Sequence, residues 1–537
     1  MIVRMQHLDL VCVAADREDA LARLRALGVV HLDLAAARGA AVQAVEGELA
    51  DAERAVRLIR KARGNDATVE VRPRTVAEAL ELDADRAALV AEQERLARDI
   101  RLYEPYGDFD PELAKALVAR GIDLADRLPP KLPEMRLSKM REKLARVETR
   151  IRVDEAKLAG IDERAILARY PALRDRMAFE QAKELLEEKG AVVALAGWVP
   201  QPAVAGLLDA AHAAGWGVLL RAPAEGEAPP TLIDPPKLFR PVRALFAGLG
   251  IAPAYEESDV SVPFMCYFSL FFAMLVGDGA YGAIFLAATF ALRARLSRSW
   301  FTLLAVFSSA TILWGALSNT WFGAGIPWCS EWPTVKWLAG AGAAPGHQYD
   351  NMMFLCFTIG ASHLLLARLW SGISRLNDRS CLTEFGWAGI VLFMYVLTNA
   401  IVGIFPGVPA WSYGVLGVSF LVVFVQAKGI GKGMLFLNAM SVLGDIISYV
   451  RLFAVGLASV KVAENFNAMA VDLGLPIWIK WLPLVLILLV GHGLNLAMAA
   501  LSVLVHAVRL NTLEFSNHKG VSWAGYAFKP FRRVGDA

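Results

Sequence analysis

The distribution of charge divides this chain before any fold is considered. From Met1 to about Arg240 the sequence is rich in Arg, Glu, Asp and Ala, whereas from about Val260 to Arg509 charges are rare and long apolar runs follow one another. A soluble half is joined to a membrane half. The 537 residues are 56% hydrophobic and 20% charged, with a mean hydropathy of +0.43, too apolar for a wholly soluble or a disordered chain. A formal net charge of +2 gives no reason to expect a nucleic-acid partner. Cys12, Cys266, Cys329, Cys356 and Cys381 have neither metal-ligand spacing nor disulfide-scaffold density, and no metal or other cofactor is expected. The stretch Met1 to Asp19 has no basic leader followed by an unbroken apolar run, which reads as the absence of a signal peptide and a cytoplasmic soluble half.

In the soluble half, Met5 to Val13, Val29 to Leu34, Ala191 to Leu195 and Gly217 to Leu220 read as strands, and Glu18 to Ala26 and Ala203 to Ala213 as helices. This order predicts two small α/β units bracketing the domain. Between them Leu137, Met140, Leu144, Val147, Ile151, Leu158 and Ile161 follow the spacing of a coiled-coil seam, and Leu89, Leu96 and Tyr103 lie seven apart. Two antiparallel heptad arms with compact ends suit a rigid strut, the alternative being a solvated bundle with only an architectural role. The string Ala427 to Gly433 lacks the Ser/Thr after Gly-Lys and the correctly spaced first Gly of a phosphate loop, so no nucleotide site is expected.

A bilayer core of about 30 Å needs roughly 20 helical residues per crossing. Apolar stretches run over Val262 to Leu292, Trp300 to Gly323, Met352 to Ala367, Phe385 to Phe405, Trp411 to Gln426, Met434 to Ala470 and Ile477 to Leu510. Links carrying Arg293, Arg295 and Arg298, then Arg368, Arg375 and Arg379, then Lys428 and Lys432, and the tail with Lys519, Lys529, Arg532 and Arg533, are basic and belong on the cytoplasmic side. The intervening links at 324–351, 406–410 and 471–476 are nearly free of Lys and Arg. For the soluble domain and the first basic link to share a side, the first apolar stretch must leave and return, breaking near Gly277-Asp278-Gly279. Eight crossings with both termini inside follow. A continuous helix over Met434 to Ala470 would be about 55 Å long and steeply tilted.

Ionisable residues inside such helices are costly and become functional candidates. Arg451 lies halfway along the first long helix and Arg509 near the end of the last. At 100° per residue Ser441, Gly444, Ser448, Arg451, Ala454 and Ala458 share one small, weakly polar face that admits another helix closely. Asn495, Ser502 and Arg509 are seven apart, with His492 and His506 nearby, a polar stripe suited to line a water-filled path. The alternatives are snorkelling for Arg509, with Glu514 soon after it, and a structural ion pair with Asp445 for Arg451. Asp445 is six residues away on a different side of the helix, which disfavours that pair. Lys461 and Glu464 pair locally, and Asp278 is either a proton-path carboxylate or only a helix cap. An Arg that stays charged, with no matching carboxylate in its own chain, can draw a proton from a partner's membrane-embedded Asp or Glu and block leakage between two offset half-channels.

The strings Ala196 to Pro200 (AGWVP), Pro230 to Leu232 (PTL), Phe271 to Gly282 (FFAMLVGDGAYG), Ser448 to Leu457 (SYVRLFAVGL) and His506 to Phe515 (HAVRLNTLEF) occur along the chain in one order. With them the sequence resembles subunit I of the V/A-type ATP synthases, the counterpart of subunit a of vacuolar ATPases. The resemblance implies a cytoplasmic arm that binds peripheral stalks, central-stalk and catalytic subunits elsewhere in the complex, and a membrane domain beside a proteolipid c-ring. It also implies a multi-pass location in the cell inner membrane and translocation of protons or sodium ions. Arg451 then faces the ring carboxylate, Arg509 assists it, and Asp278 lies along an ion path. Acidic positions of the family fall here on Leu437 or Asn438 and on Ala499, with Asp445 as a substitute on the cytoplasmic side and His492 or Glu464 on the other. After Tyr255 and Glu256, the family's Asp-Pro-Thr appears as Asp259-Val260-Ser261.

The expected fold class is therefore mainly α. A cytoplasmic α/β-capped antiparallel coiled-coil arm over 1–240 is followed by a linker over 241–261, a polytopic helical membrane domain over 262–515 with two long tilted last helices, and a cytoplasmic tail over 516–537. The rivals are a self-contained secondary transporter, which needs an internal repeat and a paired intramembrane acid, and a membrane-anchored scaffold, which leaves Arg451 and Arg509 unexplained.

Overall fold

The computed structural model describes residues 1–64, 74–120, 128–129, 131–344, 346–474 and 476–533. Parts of the expected arm, tail and links at 65–73, 121–127, 130, 345, 475 and 534–537 lie outside the described residues. The chain is mainly helical and divides into two compact units, one of Met5–Pro223 with Lys529–Ala537, the other of Met1–Arg4 with Ala224–Phe528.

The first unit begins with β1 (Met5–Val13) and α1 (Arg17–Leu27), continues through α2 (Ala40–Arg63), α3 (Val76–Tyr103), α4 (Pro111–Ala119), α5 (Leu137–Ala159), α6 (Glu163–Leu167) and α7 (Tyr170–Glu184), and ends on β2 (Glu187–Lys189), β3 (Val192–Pro200), α8 (Val204–Ala214) and β4 (Gly217–Arg221). Strands from both ends of this sequence form one antiparallel sheet, ordered β2-β3-β1-β4. Alternation explains its core: Leu8, Leu10 and Cys12 of β1 and Val193, Leu195 and Val199 of β3 are buried with Ala20, Leu21 and Leu24 of α1. The strand expected over Val29 to Leu34 does not form. His31 alone exchanges backbone hydrogen bonds with Trp198, and 34–36 turn into a 3₁₀ helix. The crossing segment lies against β3 where a side chain at Gly197 would run into the His31 carbonyl, so glycine is what admits it.

Part of the heptad pattern finds partners between α3 and α5. Tyr103 clusters with Leu137 and Met140, and Leu96 with Val147 and Ile151, so α3 and α5 run antiparallel. Leu158 and Ile161 pack instead with Ala52, Ala55, Val56 and Ile59 of α2.

The end of the tail, from Lys529, is stitched into this unit. The Phe531 amide donates to the Val30 carbonyl at 2.7 Å, the Lys529 amide donates to Nδ1 of buried His31 at 2.9 Å, and the Phe531 ring joins the sheet core. Burial holds the His31 pKa below its ordinary value, outweighing nearby Asp33. Only the neutral ring accepts from Lys529, so this contribution is complete above about pH 6.5 and is lost as the pH falls below it. Hydrogen-exchange protection of the Lys529 amide, corrected for its intrinsic rate, is expected to drop between pH 7.5 and 5.5 in the wild type and to stay flat in His31→Asn. Equal profiles would reject this role.

The second unit holds α9 (Val242–Leu249), α10 (Ser261–Val276), α11 (Gly279–Ala291), α12 (Arg298–Ser318), α13 (Pro333–Leu338), α14 (Asp350–Ser374), α15 (Ser380–Ile401), α16 (Ala410–Gln426), α17 (Ile430–Ile447), α18 (Val450–Val471), α19 (Ile477–Ser502) and α20 (Ser516–Lys519). The 241–261 stretch contributes more than a link, since Val242, Leu245 and Phe246 of α9 belong to the main core with Phe264 and Phe268 of α10. Ser516, His518 and Lys519 of the expected tail are buried in the same unit.

Five described helices are long and apolar enough to cross a membrane: 298–318, 350–374, 380–401, 431–471 and 479–519. The pair α10 and α11 is bent by 118° at Gly277-Asp278, where the sequence places its break, and α16 is a shorter apolar helix. Gly277 ends α10 with φ +71°, a conformation in which glycine is unstrained.

Candidate functional site

The two longest apolar helices carry the two arginines singled out by the sequence, Arg451 and Arg509. The 431–471 segment spans 41 residues, about 60 Å at 1.5 Å per residue. Its regular hydrogen bonding tightens at Ser448 and Tyr449, where the Arg451 amide bonds back to Ser448 and the Leu452 amide to Tyr449. Tyr449 anchors this turn: its ring is fully buried against Gly360 and its hydroxyl lies 2.8 Å from Nδ1 of His363. Arg451 thus sits in the first turn of α18. On the expected face Ser441, Gly444, Ala454 and Ala458 are exposed, and a Cβ added at Gly444 would meet no atom of another element within 4 Å among the described residues.

The last helix changes its winding around the second arginine. Residues 503–507 and 510–515 are π-helical, flanking Val508 and Arg509. On an α-helix residues five apart diverge by about 140°, but an i→i+5 repeat stacks them. Glu514 therefore comes under Arg509, whose Nε lies 3.3 Å from its Oε1, and Arg451 Nη2 reaches the same oxygen at 3.8 Å. Ser448 Oγ lies 3.4 Å from that oxygen and donates to the Asp445 carbonyl at 2.7 Å. The Glu514 side chain is only 5% exposed, against 20% for Arg451 and 54% for Arg509. This corrects the expectation that Arg451 has no carboxylate in its own chain. A helical wheel drawn at 100° per residue hides Glu514, and the π segments expose it.

Asp445 does not pair with Arg451. Its carboxylate lies 3.0 Å from Nε2 of buried His518, whose Nδ1 accepts from Arg368 Nε at 3.1 Å. Arg368 also binds Glu384 at 3.0 Å. This charged cluster closes one end of the site.

A second polar group gathers where α10 and α11 break. Asp278 is 1% exposed, and both its oxygens are taken by backbone amides: Ala280 at 2.8 Å on one, Gly323 at 2.8 Å on the other. Its geometry is that of a cap which also pins the 320s loop. Beside it Asn495 donates to the Tyr281 hydroxyl at 3.0 Å and to the Ser459 carbonyl at 2.8 Å, and the Ser459 hydroxyl donates back to Asn495 at 3.0 Å. The Tyr281 hydroxyl meets Nδ1 of His492 at 2.8 Å, and Nε2 of His492 meets Asn467 Oδ1 at 3.1 Å. Tyr281, Ser459 and Asn467 escaped the sequence reading because their partners come from other helices. Tyr281→Phe removes one hydrogen-bond partner from each of Asn495 and His492, and is expected to lower unfolding stability of the purified chain by roughly 0.6–2 kcal/mol. An unchanged Tm would show that this network is energetically idle.

Lys461 and Glu464 pair at 2.6 Å, as spaced. They rim a cavity of about 300 Å³ that runs along α18 past Val460, Gly456 and Leu452, with Tyr349 and Trp314 opposite. Ser502 joins neither polar group, and Nδ1 of His506 has no hydrogen-bond partner among the described residues.

No protein-family model matches the chain. Among curated proteins it is 32% identical over 366 residues to the V-type ATP synthase subunit I of Borreliella burgdorferi, a match covering 63% of this chain and 60% of that protein. It is 28% identical to the V-type ATP synthase subunit I 1 of Treponema pallidum, over 99% of this chain and 100% of the relative. It is also 26% identical to the A-type ATP synthase subunit I of Thermococcus kodakarensis, over 65% of this chain and 55% of that one. The chain is thus a homologue of subunit I of the V-type and A-type ATP synthases.

Proposed function

We propose that this chain is the membrane stator subunit of a rotary ATPase or ATP synthase, providing two ion half-channels beside a proteolipid ring. The observation that carries the reading is the convergence of Arg451 and Arg509, from two different long helices, next to an exposed face of small residues. Two fixed cations beside a surface open to a close helix–helix approach suit a passing carboxylate. The relatives' names point to the same class of complex.

In this reading one half-channel ends at Asp445, Ser448 and His518, and the other follows α18 from Glu464 along the cavity toward Leu452, with His492 and Asn495 near its side. Arg451 separates them. The chain crosses the inner membrane eight times with both termini cytoplasmic, the first unit binds the peripheral stalks, and catalytic ATP sites belong to other subunits. The coupling ion is a proton or sodium. The paired acid expected of a self-contained transporter does exist in Glu514, but the Treponema pallidum relative, which is matched over 99% of this chain, carries the name of a subunit.

The test is ATP-driven ion uptake by membrane vesicles from cells that lack this chain and from the same cells supplied with it. Uptake is expected only in the second. Uptake in its absence would reject the reading.

A further inference from the structure

The arginine pair meets Glu514 through one oxygen only. Arg451, Arg509 and Ser448 all approach Oε1, while Oε2 is buried with no hydrogen-bond partner among the described residues. A buried ionised carboxylate oxygen left bare is costly, and a proton on it removes the charge and leaves an O–H that seeks an acceptor. Two guanidinium groups share the Glu514 carboxylate, because the nearby Asp445 carboxylate faces His518 and neither arginine. A second carboxylate, brought by a partner against the exposed face of α18, would give one guanidinium an acid of its own.

We propose that Glu514 is the residue that exchanges protons with that partner carboxylate, alternating between an ionised form held by Arg451 and Arg509 and a form protonated at Oε2. The proposal rests on the stator reading and deepens it by naming the proton as the ion. When the partner's ionised carboxylate arrives, the guanidinium groups turn to it, and Glu514 takes a proton supplied from the Asp445–His518 end. The proton then passes from Glu514 Oε2 to the partner carboxylate. Glu514 ends ionised and the partner neutral, so charge is conserved and both arginines stay protonated throughout. Ser448, whose hydroxyl donates to the backbone carbonyl of Asp445 and lies 3.4 Å from Glu514, fixes the turn beside the carboxylate and does not itself carry the proton.

The experiment compares wild type, Glu514→Gln, Glu514→Asp and Arg451→Ala in the full assembly reconstituted in vesicles, reading ATP-driven proton uptake with a pH-sensitive dye, sodium uptake with an isotope, and subunit content. Glu514→Gln is expected to assemble, to lose at least about tenfold in proton uptake, and to lose the dependence of the residual rate on the pH of the ATP side. Glu514→Asp is expected to restore uptake with a displaced pH profile. Wild-type rate and profile in Glu514→Gln, with uptake abolished in Arg451→Ala, overturn this proposal alone. Sodium uptake in place of proton uptake also overturns it alone. Uptake that persists in Arg451→Ala overturns the stator reading beneath it. Where Glu514→Gln does not assemble, Glu514→Asp decides: a displaced profile supports the proposal and an unchanged one rejects it.

Discussion

Gly315→Val is expected to prevent the membrane unit from reaching its native packing. A Cβ on residue 315 runs into the backbone nitrogen and Cα of Gly279, atoms that no rotamer change can move aside. Here α11 and α12 approach at backbone contact, and Gly282 faces Ile312 in the same way. Overpacking a core costs about 1–3 kcal/mol when side chains can yield, and a clash with backbone falls at or beyond the upper end. Against total stabilities of about 5–15 kcal/mol this is a large fraction. The matched control is Gly417→Ala in α16, where the added carbon meets no atom of another element within 4 Å among the described residues and the change is expected to be neutral or slightly stabilising. Thermal unfolding and yield of the assembled complex measure both. Wild-type behaviour in Gly315→Val would mean that the two helices do not pack as described.

Sequence pattern reached furthest where one element decides its own fate. β1 ends where its alternation ends, α1 and α8 lie within a residue of their expected bounds, and the α10–α11 break falls at Gly277-Asp278. These features depend on local periodicity and on glycine, which a sequence displays directly. What was missed depends on distant chain segments. Val29 to Leu34 has strand composition, but the tail residues Lys529 and Phe531 take up its free polar groups. The strands at the two ends of the first unit carry no sign that they share a sheet. The site divides in the same way: Arg451 and Arg509 stand out by their cost in an apolar helix, whereas Glu514 becomes their partner only through the i+5 winding of the last helix. Asp278, conspicuous in sequence, has both oxygens occupied by backbone amides.

Removing the Arg451 guanidinium is the other change with a large expected effect. It takes away one of the two cations beside Glu514 and leaves Arg509, which is more exposed and belongs to the other helix. In the stator reading Arg451 lies mid-membrane, where a charge costs at least about 2.5 kcal/mol, so its loss is expected to leave insertion unimpaired. Folding and coupling therefore separate in this variant. The most direct measurement is ATP-driven ion uptake by vesicles holding equal amounts of assembled wild-type or Arg451→Ala complex. The stator account predicts that the variant assembles, and that its uptake falls to background. Uptake near the wild-type rate at equal assembly would contradict it and reduce Arg451 to a structural partner of Glu514.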